Sequence, residues 1–238
     1  MARILLIHGA WGDATGWGRI VPRLTAAGHS VEAIDLPGHG RSCVPPETVG
    51  QPDYVAHVEQ RLLAGPPAML VAHSMGGIVA AQVASRCPDH VTSCVFVAAL
   101  LPRDGDSLLG LIRQQDTDGI QGSIRPGPKP GTTELDPDTA AETLFQDADP
   151  VTARKALAAM GPQSNRAQKD PAIVGPGFAS VPRAYVFCEA DRVVTPALQR
   201  KMVAATPCDV TFSLSSGHVP QLTQPEALTE VLLGLATA

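Results

Sequence analysis

Several features are scarce or missing in this 238-residue sequence, and each absence narrows the field. No apolar run approaches the roughly 20 residues that cross a bilayer; the longest covers residues 94–101. The apolar stretch at residues 4–7 is too short for the core of a signal peptide. Five cysteines, at 43, 87, 94, 188 and 208, are odd in number and form no CxxC pair. They predict reduced thiols in a cytoplasm rather than a disulfide framework, with Cys94 and Cys188 serving as core packing. Lys and Arg total 18 against 23 Asp and Glu, and no basic stripe is present, so no nucleic-acid surface is expected. Metal-ligand spacing such as HExxH is missing. The first glycine turn lacks G-x-G-x-x-G, which argues against a dinucleotide site despite Asp35 at the end of the second strand pattern. Internal repeats and a long disordered tail are absent too. With 44% hydrophobic and 17% charged residues, the chain can build an ordinary α/β core.

What is present is a repeated alternation. Apolar strand patterns at residues 3–7, 30–34, 68–71, 91–101, 184–188 and 210–214 alternate with helical ones. Trp17, Ile20, Val21 and Leu24 fall at helical spacing before Gly28, and Val55, Val58, Leu62 and Leu63 do so between Asp53 and Gly65. An Ala-rich helix over 78–84 stops near Cys87-Pro88, Thr195-Pro196 opens one running to about Ala205, and Pro225 opens the last. Such alternation predicts a parallel sheet with right-handed crossovers. Residues 103–182 interrupt it: 122–131 is Pro- and Gly-rich and reads as a loop, while 140–145 and 152–160 read as helices. The expected organisation is a core from 1–102 and 183–238, with 103–182 inserted as a helical cap over the C-terminal strand edge.

The stretch Val71-Ala72-His73-Ser74-Met75-Gly76-Gly77 places a serine between a buried strand and a helix, with small residues two before and two after. That is the pattern of a nucleophile elbow, with Ala72 where glycine is usual. Alone, it reads equally well as a Ser-Gly-rich turn without chemistry. A serine hydroxyl needs a base within hydrogen-bond reach, and the base needs an anion to fix its tautomer. Asp191 follows the fifth strand pattern and His218 the sixth, so both loops open on the edge that carries Ser74. Glu189 competes for the acid position but lies closer to its strand, which favours Asp191. His8 is expected to position the first turn and His73 to pack or bond behind the elbow. His29, His57 and His90 fall near helix ends or on a solvated face, and His39 in a glycine turn. Backbone N–H groups of Met75 and Ala10 are the expected oxyanion donors. Gly9 keeps the pocket floor open, and Trp11, Met75, Val219, Leu144 and Phe145 are candidates to line it, with core packing at least an equal reading for the last two.

Taken together, these residues resemble the α/β-hydrolase superfamily, and within it the branch of plant methyl esterases, hydroxynitrile lyases and bacterial esterase relatives. The resemblance rests on His8-Gly9-Ala10-Trp11 with Trp17, Ala27-Gly28-His29-Ser30-Val31, Asp35-Leu36 and residues 71–77. It continues through Ala98-Ala99-Leu100-Leu101-Pro102, Asp191, and Gly217-His218-Val219-Pro220-Gln221-Leu222 with Pro225, and is weak inside the cap. It implies an α/β-hydrolase fold: a mostly parallel central sheet flanked by helices, with a helical cap inserted after the sixth strand. It also implies a Ser74–His218–Asp191 triad with Ala10 and Met75 as oxyanion donors. The lyases carry threonine where this chain has Gly9, and a lysine where it has Val219. That lysine's charge helps hold a leaving cyanide, which valine cannot do, so ester hydrolysis is favoured. The expected protein is a cytoplasmic serine esterase for a small, largely apolar methyl or aryl ester. It needs no metal or other cofactor, binds neither nucleic acid nor membrane, and is allowed to form a homodimer. Thioester hydrolysis, lactone formation, lyase or cyclase chemistry, and a non-enzymatic ligand receptor remain open on the same scaffold.

Overall fold

Strand-length runs rich in Ile, Leu and Val, each followed by a glycine turn and an amphipathic helix, can bury both faces only inside a parallel sheet covered on both sides. The computed structural model, which describes residues 1–237, has this architecture. Its elements are β1 (Arg3–Ile7), α1 (Val21–Ala26), β2 (Ser30–Ile34), α2 (Gln51–Leu63), β3 (Ala68–His73), α3 (Gly76–Arg86) and β4 (Val91–Val97). Next come α4 (Leu108–Ile112), β5 (Ile124–Pro126), β6 (Thr132–Leu135), α5 (Pro137–Leu144), α6 (Pro150–Ala159), β7 (Gln163–Ser164) and α7 (Asn165–Lys169). The chain then returns through β8 (Arg183–Cys188), α8 (Pro196–Ala205), β9 (Val210–Leu214), α9 (Pro220–Thr223) and α10 (Pro225–Thr237). The main sheet has six strands in the order β2-β1-β3-β4-β8-β9, all pairs parallel.

The two-residue period of the strands divides the core. Leu5, Ile7, Leu70, Ala72, Cys94, Phe96, Tyr185 and Phe187 face α2, α3 and α8. Ile4, Leu6, Met69, Val71, Val95, Val97, Ala184 and Val186 face Ile20, Leu24, Leu228 and Leu232 on the α1 and α10 side. Because every strand runs the same way, all their C-terminal ends, and the loops that leave them, meet on one edge.

The structure corrects four expectations. The insertion leaves the sheet after its fourth strand, not its sixth; six is the total, and β8 and β9 follow the insert. The cap is not purely helical, since β5, β6 and β7 form a small antiparallel sheet. Its strands have two to four residues, too short for a periodic signal, and β5 lies inside the segment read as a loop. Third, β4 ends at Val97. Ala98 adopts a φ of +44° and turns the chain out of the ladder, although residues 98–101 stay buried behind the elbow. Finally, the helix expected around Trp17–Leu24 divides into a 3-10 turn, Ala14–Trp17, and α1.

Candidate active site

Ser74 stands between the end of β3 and the start of α3 with φ at +52°, a left-handed conformation unusual for a residue with a Cβ. Trp11 (+58°) and Ala98 (+44°) are the other non-glycine residues of this kind among the described residues, and all three follow strand ends at the same edge. Strain of this sort persists only where the surroundings over-determine it. Here, the Ser74 N–H donates to Val97 O (3.4 Å), while its carbonyl accepts from Gly77 N–H (3.1 Å) and Leu100 N–H (3.0 Å). The neighbouring glycines are sterically required. A Cβ on Gly76 would lie 2.7 Å from His8 O, and one on Gly77 would lie 2.4 Å from Leu100 O. On Gly9 it would lie 2.8 Å from Ser74 Cβ and 3.1 Å from His73 Nδ1.

Asp191 and His218 sit on the loops after β8 and β9, and His218 Nδ1 lies 2.8 Å from Asp191 Oδ2 with both side chains fully buried. The carboxylate is held from every side. Oδ1 accepts the N–H groups of Val193 (2.7 Å) and Val194 (3.0 Å), and Oδ2 also accepts Gln199 Nε2–H (3.2 Å). Glu189, the rival acid, is turned away: it pairs with Arg200 (2.7 Å) and accepts a bond from Ser213 Oγ on the exposed surface. Ser74 and His218 line one cavity of about 400 Å³, together with Gly9, Ala10, Trp11, Leu144, Phe145 and Val219. Met75 is buried under the elbow and does not line it. Its side chain is core, while its backbone N–H, like that of Ala10, has no protein acceptor among the described residues.

Two further histidines flank the serine, both buried. His8 Nε2 accepts the Leu36 N–H (3.1 Å), so the ring proton is on Nδ1, which donates to Gly9 O (2.8 Å) and pins the first turn. His73 donates Nε2–H to the His218 backbone carbonyl (2.7 Å), its ring 4.7 Å from the His218 ring. Burial, and next the neighbouring His218, holds His73 well below the usual histidine range, so it is neutral. Asp35, just after β2, braces two loops by accepting Ala14 N–H (2.8 Å) and Arg41 N–H (3.2 Å). Among the described residues, no group of three His, Cys, Asp or Glu side chains is placed to hold a metal ion.

Sequence reasoning missed several supporting residues. Gln199, fully buried, places its amide among Cys188, Asp191 and Val194; it shares the inner face of α8 with Met202 three residues on, which was the available signal. In the cap, Gln146 Nε2–H donates to Ala190 O (2.7 Å), just before Asp191. Asp147 accepts from Gly217 N–H (2.7 Å) and Thr223 Oγ1–H (2.9 Å), on either side of His218. No local pattern marks these two, because the contacts span many residues of sequence.

A parallel α/β sheet with a strained serine and a buried His–Asp pair on its C-terminal edge defines a protein of serine-hydrolase architecture. A model described as the alpha/beta hydrolase family matches residues 4–231, and the chain belongs to that family. It is similar to methyl jasmonate esterase 1 of Vitis vinifera, 28% identical over 93% of this chain and 91% of the relative. It is also similar to esterase PIR7B of Oryza sativa subsp. japonica, 29% identical over 98% of this chain and 94% of the relative. The crystal structure of a pyrethroid hydrolase from Sphingobium faniae JZ-2 superposes with a TM-score of 0.86 at 25% identity, covering 100% of this chain and 98% of that one.

Proposed function

We propose that this protein is a serine esterase that hydrolyses a small, largely apolar carboxylic ester, methyl or aryl, through an acyl-enzyme. The observation that carries the reading is the buried 2.8 Å His218–Asp191 pair, whose His218 lines the same cavity as a left-handed Ser74. Ser74 Oγ attacks the ester carbonyl and His218 Nε2 takes its proton, while Asp191 stabilises the imidazolium through Nδ1–H. The carbonyl electrons become an oxyanion that accepts the Ala10 and Met75 N–H groups. As the tetrahedral intermediate collapses, the acyl C–O bond breaks and His218 returns its proton to the leaving alcohol. A water then repeats the sequence on the acyl-enzyme, releasing the acid and free Ser74.

The cavity volume suits a small ester, and Leu144, Phe145, Ala156, Met160, Val219 and Leu222 give it an apolar lining. The named relatives are esterases, which supports hydrolysis over the other reactions this scaffold runs. No helix among the described residues is long and apolar enough to cross a membrane, and five free thiols fit a reducing, cytoplasmic setting.

The deciding experiment is intact-mass analysis after treatment with a fluorophosphonate. One adduct, mapping to Ser74 and missing in Ser74→Ala, is the expected result, followed by turnover on a panel of methyl, aryl and thio esters. Absence of an adduct, or faster turnover of thioesters than of oxygen esters, overturns the reading.

Asp191→Asn is expected to lower kcat by roughly 10³- to 10⁴-fold near neutral pH. The two N–H donors of Val193 and Val194 keep the amide oxygen at the Oδ1 position. The new NH2 then faces His218 Nδ1 and must be accepted there, which moves the ring proton to Nε2, where Ser74 needs a base. Retention of near-full kcat by a folded Asp191→Asn would remove Asp191 from the mechanism.

A further inference from the structure

We infer that Gln163, a cap residue, is a positioning residue for the Ala10 side of the oxyanion hole. This role presupposes the esterase reading above, where the Ala10 N–H stabilises the oxyanion, and specifies what holds that amide in place.

Trp11 follows Ala10 directly, and its φ of +58° is a conformation that a bulky residue keeps only where its surroundings impose it. Within the core domain the turn is closed by one bond, from the Gly12 N–H to Gly9 O (3.3 Å), which engages neither main-chain group of Trp11. Both main-chain polar groups of Trp11 are bonded to the cap instead: its N–H donates to Gln163 Oε1 (3.3 Å), and its carbonyl accepts the Gly161 N–H (2.9 Å). The Ala10–Trp11 peptide is therefore oriented by residues about 150 positions away in sequence.

Gln163 is itself immobilised. It is completely buried on β7, and its Nε2 donates to Tyr54 Oη (3.1 Å) on α2 and to Ser164 O (3.3 Å). These acceptors fix which end of the amide faces Trp11: turned over, an NH2 would confront the Trp11 N–H, and the amide oxygen would face the Ser164 carbonyl. Tyr54 is also fully buried, and its Oη shares a 3.1 Å bond with His39 Nε2. The His39 ring lies 4.9 Å from that of His8, which donates to Gly9 O. The chain of contacts therefore runs from His8 through His39, Tyr54 and Gln163 to Trp11, bracketing Gly9 and Ala10 at both ends. Within it the Gln163 amide has both its oxygen and its nitrogen engaged, and linked bonds of this kind hold geometry more firmly than any single bond does. Oxyanion stabilisation depends on donors aimed beforehand at the developing charge, so the bracket acts on the chemical step rather than on binding of the ester.

The test compares wild type with Gln163→Met, which keeps length and bulk but removes both hydrogen-bonding functions, and with Tyr54→Phe, which removes one of the two acceptors that orient the amide. Active sites are titrated with the fluorophosphonate, and kcat and KM are measured on one ester. Affinity is measured for a trifluoromethyl ketone, whose adduct with Ser74 places an oxyanion in the hole, and for an uncleavable ether analogue of the ester. Gln163→Met is expected to lower kcat per titrated site and trifluoromethyl ketone affinity in parallel, by roughly 10- to 100-fold. KM and ether affinity should stay within about threefold, because ground-state contacts are untouched. Tyr54→Phe should shift the same two quantities by a few-fold. A purely structural role would lower Tm and the titrated fraction while leaving kcat per site and ketone affinity unchanged, and that outcome in Gln163→Met overturns the assignment. If Gln163→Met does not fold, unchanged values in Tyr54→Phe overturn it. Failure of wild type to label at Ser74 strikes the esterase reading itself and takes this assignment with it. Labelled wild type with an indifferent Gln163→Met strikes the assignment alone.

Discussion

Ser74→Ala is expected to lower kcat by roughly 10⁴- to 10⁶-fold while leaving the protein folded, the largest effect any single change in this chain should have. The substitution deletes only Oγ. The Cβ that fits above Gly9 is retained, as are the backbone bonds to Val97, Gly77 and Leu100 that hold the left-handed turn. Alanine tolerates this φ about as poorly as serine does, so stability should change by less than about 1 kcal/mol. Affinity for the ether analogue should be preserved, since the cavity lining is intact. His218→Ala should be comparably inactive, and the double variant no worse than either single one, because the serine and its base act as a unit. Steady-state kinetics with a sensitive chromogenic ester checks each case. Multiplicative losses in the double variant would show that the two side chains act independently.

The second large effect is acid instability. His39 is pushed down to about 3, first by burial and then by the neighbouring His8. His8 and His73 are also lowered, each mainly by burial. All three are neutral in the folded protein and take up protons near the ordinary value of 6.5 when the chain unfolds. The unfolded state therefore binds more protons below that value, and stability falls with pH from about 6.5 down to the folded-state pKa values. For His39 alone, the loss reaches about 2 kcal/mol at pH 5, at about 1.4 kcal/mol per pH unit. His8 and His73 act in the same direction, against a total stability of about 5–15 kcal/mol for a domain. Urea denaturation at pH 7 and pH 5 measures the loss. The expected midpoint falls steeply, with uptake of more than one proton on unfolding near pH 5.5. A pH-independent midpoint over that range would mean that these rings are not held neutral in the folded state.

These histidines also illustrate what could be read from the chain alone. His8 and His73 were legible as supports, since each abuts a glycine turn or the elbow and neither is spaced as a base or a ligand. The parallel sheet, the elbow and the placing of Asp191 and His218 at successive strand ends follow from periodicity and order. Period-two burial, small residues around a serine and polar residues just past a strand are local properties that sequence displays directly. Proximity of Glu189 to its strand already favoured Asp191. Only in three dimensions is it visible that Asp191 meets His218 while Glu189 meets Arg200.

The cap was far less legible, and the reason is physical. Its strands are too short to show a period, so β5 reads as part of a Pro- and Gly-rich loop, and its polar residues look like surface. Ala98 ends β4 through one backbone rotation inside an apolar run that continues to Leu101, and hydrophobicity reports burial rather than pairing. Gln146, Asp147, Gln163 and Gln199 gain their importance only from what lies opposite them after folding. The sequence by itself determined the sheet, the strained serine and the order of its partners, because each depends on a few adjacent residues. The tertiary structure alone decided which loops the cap clasps and which main-chain groups of the first turn it holds, because those bonds join groups far apart in the chain and exist only once it has closed.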